Sequence, residues 1–309
     1  MSDGDLSLRH GMIGNLFRAP MADDPRYRLT PLQLQKFRER GYVAGIRILD
    51  DRQVDAMLAE LKPWMQPAHP KRELWYEYRA NASADPDRSM LHASGAWRIG
   101  TAFHDLLWHE AVVAPARQLL GGGVRFMQDQ LFCKPPHRGG VVAWHQDYSY
   151  WTFAQPMGHV TCWIALDDVT IENGCLCYVP GSHRWGLLPM TGLTGEMGAI
   201  DTVLTAEQQA AFRPVPIELK RGEASFHHPL LIHGSHDNRS PRSRRATVLN
   251  LMRDGTKAAA DEPEVDGLPA FMVRPTEETV FYSIDEPPRG RVLDGRYFPL
   301  LGSPTSRDG

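Results

Sequence analysis

The chain changes texture at Gly121-Gly122-Gly123. Before this point apolar residues recur at helical spacing. After it they come in short runs separated by turn residues. The strand candidates are 124–134, 141–147, 159–168, 175–179, 215–219, 224–233 and 244–252, with only a short helical stretch near 205–212 among them. Parallel neighbours need a crossover of a dozen or more residues, usually a helix, so strands that follow one another without helices pair antiparallel. The expected core is therefore a barrel or a double-sheet jelly roll, making the protein mainly β with helices at its N-terminal side. Glu172-Asn173-Gly174 supplies the Asn-Gly pair that a tight β-turn favours.

Ahead of the glycines, residues 1–29 are polar, lack a period and read as an arm, flexible or wrapping. Thr30-Pro31-Leu32-Gln33 is a helix start, with Thr30 as cap, Pro31 at the first helical position and Gln33 completing a capping box. Gly41 ends that helix and Tyr42 to Leu49 is strand-like. Asp50 and Asp51 can cap a second helix, along which Val54, Met57, Leu58 and Leu61 fall on one face until Pro63. Residues 62–105 read as irregular connections, and 106–120 as one helix. The organisation is then an arm (1–29), one core domain (30–253) and an extension (254–309) rich in Pro, Asp and Glu that ends in Tyr297-Phe298-Pro299. The extension could be a lid, or an interface arm through which copies of the chain form a homo-oligomer.

Composition narrows the function. Thirty-four basic and 37 acidic residues leave a formal charge of −3, which gives no basic footprint for nucleic acid. No apolar run approaches the roughly 20 residues that span a bilayer, and the N-terminus lacks the basic-then-apolar order of a signal peptide. Cys133, Cys162, Cys175 and Cys177 read as buried free thiols, which suits a cytoplasmic protein.

Among 13 histidines, one lies in Trp144-His145-Gln146-Asp147. On a strand, residues two apart point the same way, so His145 and Asp147 can offer a nitrogen and an oxygen to one metal ion. His233 closes an apolar run 88 residues further on, far enough for several strands to bring it back. Two histidines and one carboxylate with open positions form the facial set of non-haem Fe(II) oxygenases. His227, His228 and His236 read as structural or surface groups. Arg244 and Arg245 open a strand, so one faces in. A buried arginine is costly unless it meets an anion, and its planar fork fits a carboxylate. The aromatic residues Trp144, Tyr148, Tyr150, Trp151 and Phe153 beside the metal pair could wall an apolar substrate pocket.

WHQDYSYW (144–151), TCWIALDDVTIENGCL (161–176), PGSH (180–183) and HPLLIHGSHDNRSPRSRRA (228–246) together resemble the phytanoyl-CoA dioxygenase family of Fe(II)/2-oxoglutarate oxygenases, over about residues 30–252. The resemblance implies a double-stranded β-helix core (jelly roll, cupin-like) with N-terminal helices packed on one sheet. It implies a metal triad of His145, Asp147 and His233, with Fe(II), 2-oxoglutarate and O2 as reactants. It further implies that Arg244, 11 residues after His233, pairs with the distal carboxylate of 2-oxoglutarate, that Ser235 assists it, and that Trp163 and Gln130 line the co-substrate pocket. The expected reaction is hydroxylation of an unactivated C–H bond of a small molecule, with release of succinate and CO2. Desaturation, cyclisation or epimerisation on the same iron remain open. So does a non-catalytic metal-binding barrel, while zinc hydrolysis is disfavoured by the arginine. Asp147 argues against a halogenase, in which a small residue replaces the carboxylate.

Overall fold

The computed structural model describes residues 4–17, 24–66, 68–83, 85, 87–193, 196–259 and 290–302, and the backbone of Glu264–Val265 and Leu268–Pro269. Five helices occur in it: α1 Pro31–Arg40, α2 Asp51–Trp64, α3 Thr101–Leu106, α4 Glu110–Leu120 and α5 Ala206–Ala211. The strands that build the core are β1 Tyr42–Arg47, β2 Glu77–Arg79, β3 Leu91–Ser94, β4 Val124–Lys134, β5 Val142–His145, β6 Ala154–Gln155, β7 His159–Ala165, β8 Leu176–Tyr178, β9 Val215–Ile217, β10 Glu223–His227, β11 His233–Ser235, β12 Arg244–Arg253 and β13 Lys257–Ala258. No described helix is long and apolar enough to cross a membrane.

Local chemistry sets the early elements. Thr30 accepts from the Gln33 amide while the Gln33 side chain reaches back to the Thr30 amide, and Gly41 ends α1 at φ +84°. The same reciprocal cap, Asp50 with Gln53, starts α2. Val54, Met57, Leu61 and Trp64 are its buried face.

A major sheet runs β1-β10-β7-β12-β4-β3-β2, with Leu300–Gly302 added beside β4. A minor sheet runs β5-β11-β8-β9. Every strand pairing in both is antiparallel. The two sheets face each other across a cavity of about 390 Å³ that both line. Helix α4 covers the outer face of the major sheet, where Ala111 to Ala116 are buried. This is the double-stranded β-helix with helices on one sheet.

Three expectations need correction. Residues 62–105 are not merely irregular, because β2 and β3 extend the major sheet beyond β4. Strands of three and four residues are too short to show a period. Asp129 on β4 ties down the turn after them by accepting from the Gly95 and Trp97 amides at 2.8 and 2.9 Å. Of the 106–120 segment only Glu110–Leu120 forms α4, since α3 ends at Leu106 and His109 leaves helical geometry, its buried ring reaching the Ile48 carbonyl at 3.0 Å. The run 224–233 is two strands in different sheets: β10 ends at His227 and β11 begins at His233. Leu230, Leu231 and Ile232 are buried in the crossing between them, so the run stays apolar without being one strand. His233 accordingly opens a strand and does not close one. The arm, read as flexible or wrapping, lies against the core, and parts of the tail do so too. Asp5 pairs with Arg98 and Arg296, and the Ile13 and Gly14 amides donate to Asp105. In the tail, β13 pairs with β6, and Leu300–Gly302 pairs with β4. Of the extension read as a lid or interface arm (254–309), residues 260–289 lie outside the described residues apart from the backbone of Glu264–Val265 and Leu268–Pro269.

The Asn-Gly turn forms as expected between β7 and β8. Gly174 holds φ +80°, and a Cβ there would lie 2.4 Å from the His236 carbonyl oxygen, next to β11. Gly174→Ala is expected to destabilise the protein by about 2 kcal/mol or more, through left-handed strain plus that clash. Chemical denaturation of both proteins measures it, and an unchanged midpoint would show that the turn can relax.

Candidate active site

His145 ends β5 and His233 opens β11, and the antiparallel register sets them directly opposite each other. Their ring centroids are 4.1 Å apart. Asp147 is not on the strand. It starts the single turn Asp147–Tyr150 that follows β5, and that turn brings its carboxylate back toward the histidines. Asp147 Oδ1 lies 3.5 Å from Nε2 of both. One ligand atom from each residue falls within 4.8 Å of the others, and all three side chains are largely buried.

Hydrogen bonds fix which atoms point inward. His145 Nδ1–H donates to the Ala143 carbonyl at 2.8 Å, and His233 Nδ1–H to the Leu231 carbonyl at 3.0 Å. Each Nε2 lone pair is left facing the shared point. Asp147 Oδ2 accepts from the Thr161 hydroxyl at 2.7 Å and from His227 Nε2 at 3.0 Å, which leaves Oδ1 toward the histidines. Burial alone would raise the Asp147 pKa. The imidazoles around it, His233 first and then His145 and His227, outweigh burial and hold the carboxyl well below the usual range. Burial, then the charge of His145, pushes His233 well below its ordinary value, toward the neutral form that ligates metal.

The role of His227 was not visible in the sequence. An ionised Asp147 can only accept, so His227 Nε2 carries the proton. Its Nδ1 then accepts from the Tyr178 hydroxyl at 2.9 Å, and Tyr178 in turn accepts from Ser225 at 2.7 Å. Its alternation with Ser225 on β10, both facing the interior, was the one signal available.

Two aromatic assignments need correction. Trp144 alternates with His145 on β5, so it faces away from the cavity and packs edge-on against Phe212. Tyr148 turns outward against His159, and its hydroxyl donates to the Ala154 carbonyl. Tyr150, Trp151 and Phe153 do line the cavity.

At the other end of the same cavity, Arg244 is 1% exposed and none of its three guanidinium nitrogens has a hydrogen-bond partner. Burial lowers its pKa to about 10, so it stays charged at neutral pH. The Trp163 ring lies 5.3 Å from its Cζ. Ser235, also on the wall, accepts from Lys134 Nζ at 2.7 Å. Burial, then the nearby Arg244 charge, pushes the Lys134 pKa well below its ordinary value. Lys134, wholly buried, is a second residue that sequence reasoning did not single out. Arg245 faces outward in a two-pronged pair with Asp167, at 2.9 and 2.7 Å. Gln130 sits between His92 and Asn250, at 2.9 and 2.8 Å, on the major-sheet wall. A buried charge without an anion is expensive. The orphaned Arg244 and the N2O donor set therefore fit a carboxylate-bearing co-substrate and Fe(II) respectively.

Residues 37–246 match the phytanoyl-CoA dioxygenase family. The chain belongs to the phytanoyl-CoA dioxygenase family. It is 30% identical to the phytanoyl-CoA dioxygenase domain-containing protein 1 of Bos taurus, over 72% of this chain and 90% of that one. It is 32% identical to the L-proline trans-4-hydroxylase of Streptomyces griseoviridis, over 53% of this chain and 64% of that one. In fold it is similar to the non-haem α-ketoglutarate-dependent carbocyclase SnoK from nogalamycin biosynthesis, with a TM-score of 0.69 and 23% identity over 90% of this chain and 98% of that one. As a member of the family with the donor set in place, the protein is a non-haem iron, 2-oxoglutarate-dependent oxygenase.

If His227 orients Asp147, His227→Ala should weaken Fe(II) binding by about tenfold to a hundredfold. His236→Ala should not, since His236 is not part of the cluster. Anaerobic Fe(II) titration of both variants checks this.

Proposed function

We propose that this dioxygenase hydroxylates an unactivated C–H bond of a small organic molecule, converting 2-oxoglutarate to succinate and CO2. In this reading His145, Asp147 and His233 hold Fe(II). Arg244 pairs with the distal carboxylate of 2-oxoglutarate, Ser235 donates to the same carboxylate, and Trp163 and Gln130 wall the co-substrate. Bound iron, with 2-oxoglutarate and dioxygen, supplies the oxidising equivalents. The chain itself positions the reactants. Burial of the three ligands keeps bulk water from the open coordination face, and the ionised Asp147 offsets metal charge. Tyr150, Trp151 and Phe153 shape the space beside the triad where the substrate would sit.

The observation that carries this reading is the partnerless Arg244 in the same cavity as the triad. A barrel that only stored metal would have no use for a buried unpaired guanidinium. The likeness to a carbocyclase keeps ring formation as a second outcome of the same chemistry. Tyr150, whose ring lies 6.2 Å from that of His145, is placed to contact the substrate in either case.

The purified protein should bind one Fe(II) and show a weak visible absorption band only when 2-oxoglutarate is added without oxygen. Breaking a buried arginine–carboxylate pair on one side costs about 3–5 kcal/mol, on the order of a hundredfold to several thousandfold in affinity. Arg244→Leu should raise the 2-oxoglutarate requirement by that much and leave Fe(II) binding nearly intact. Arg245→Leu, which removes a partly exposed pair, should change it little. A large loss on Arg245→Leu but not on Arg244→Leu would refute the assignment. Asp147→Gly should abolish product formation, and a chlorinated product from the unmodified protein would overturn hydroxylation.

A further inference from the structure

Lys134 on β4 and Arg244 on β12 stand directly opposite each other in the antiparallel register, so their side chains share one face of the sheet. Lys134 is 0% exposed and Arg244 1%. Arg244 and Ser235 line the cavity, and Lys134 sits behind them. Its Nζ lies 2.7 Å from the Ser235 hydroxyl, 3.4 Å from the Ser235 carbonyl oxygen and 2.5 Å from the His236 carbonyl oxygen. Among the described residues these three oxygens are its only polar contacts.

The kinds of oxygen around Nζ tie its charge to the direction of one hydroxyl. An ammonium has three N–H groups and can donate to all three oxygens. A neutral amine has two, plus a lone pair. Carbonyl oxygens only accept, so in the neutral form the two N–H groups go to them and the lone pair takes the Ser235 proton. The bond then runs from Ser235 to Lys134, and the hydroxyl has no proton left for the cavity. While the cavity holds no anion, an ammonium here is a second buried cation beside Arg244. Burial and that charge favour the neutral amine. The other groups facing Lys134 are already engaged. Asp237, in the loop after β11, lies 3.2 Å from Arg88. The Cys175 and Cys177 thiols are hydrogen-bonded to each other, and the His236 ring turns edge-on to Trp144.

We infer that Lys134 is a positioning residue for the co-substrate: the distal carboxylate of 2-oxoglutarate enters together with one proton, which passes from solvent to Lys134 Nζ and so turns the Ser235 hydroxyl into the cavity. This rests on the assignment of Arg244 and Ser235 to the co-substrate above. The incoming carboxylate brings the negative charge that a buried ammonium needs. No covalent bond to carbon changes. The Nζ lone pair takes up a proton, and Ser235 keeps its own and aims it at the carboxylate. Lys134 is then protonated more readily in the complex than in the empty protein. Co-substrate affinity is accordingly full at low pH. It falls by up to tenfold per pH unit as pH rises past the Lys134 pKa of the empty protein, and levels off above that of the complex.

The test uses the full-length protein loaded with Fe(II) without oxygen, so that the ligand histidines are held neutral by the metal. 2-Oxoglutarate is titrated calorimetrically in buffers of different ionisation enthalpy, from about pH 6 to about pH 9, where carboxylates are ionised and arginine is charged. Within that range the unmodified protein is expected to take up close to one proton per 2-oxoglutarate bound, and its affinity to fall as pH rises. Lys134→Met should take up none and bind with an affinity that pH does not change. Cys175→Ser should keep the uptake. Ser235→Ala, a small change, should weaken binding by about tenfold to a hundredfold at the low end of the range. The penalty should shrink toward the high end, where the hydroxyl faces Lys134. A merely structural lysine would move neither the proton count nor the pH dependence of the Ser235→Ala penalty. The proposal is overturned by no uptake in the unmodified protein, by undiminished uptake in Lys134→Met, by its loss in Cys175→Ser, or by a Ser235→Ala penalty that stays constant with pH. If Lys134→Met does not fold, the proton count, Cys175→Ser and Ser235→Ala decide. Failure of the oxygenase reading looks different: 2-oxoglutarate gives neither binding heat nor the anaerobic band at any pH.

Discussion

The antiparallel pairing of β5 with β11 is the constraint on which the site depends. It sets two histidines, 88 residues apart in sequence, with ring centroids 4.1 Å apart, without any contribution from metal. Each imidazole is tied by its Nδ1–H to a backbone carbonyl two residues earlier. The same bonds aim both Nε2 atoms at one point. Asp147 completes the set from a turn, and Thr161 and His227 on the opposite sheet occupy its outer oxygen. The minor sheet thus supplies the two histidines, the turn after β5 supplies Asp147, and the major sheet fixes the orientation of its carboxylate.

The cavity is electrically lopsided. At the metal end a carboxylate is surrounded by donors and held ionised. At the far end a guanidinium is enclosed with no acceptor, while its neighbour Arg245 is fully paired outside. Strand alternation forces that division, since β12 can turn only one of two successive arginines inward. An unpaired internal cation lowers the stability of the protein alone. In the proposed reading the dianionic co-substrate offsets that loss on binding, one carboxylate meeting Arg244.

Much of this was legible in the sequence because it depends on local periodicity or spacing. The capping boxes at Thr30 and Asp50, the Asn173-Gly174 turn and the long strands β4 and β12 announce themselves within a few residues. His145, Asp147, His233 and Arg244 were identified from residue type, spacing and family resemblance, and the structure brings the first three within ligand distance. Trp144 and Tyr148 were misplaced because proximity in sequence to a ligand says nothing about which side of a strand or turn a ring takes. His227 and Lys134 were missed because their partners, Asp147 and Ser235, lie 80 and 101 residues away.

The sequence by itself determined the fold class, through a run of strands with no crossover helices, and the chemistry available, through two histidines, a carboxylate and an arginine at a strand start. Tertiary structure alone decided where residues 77–94 lie. Their strands are too short to carry a period, and they are stabilised by pairing to β4 and by Asp129 capping the turn after them. It also decided that the apolar run ending at Ile232 crosses from one sheet to the other. Burial drives both outcomes, and burial depends on what the rest of the chain packs against.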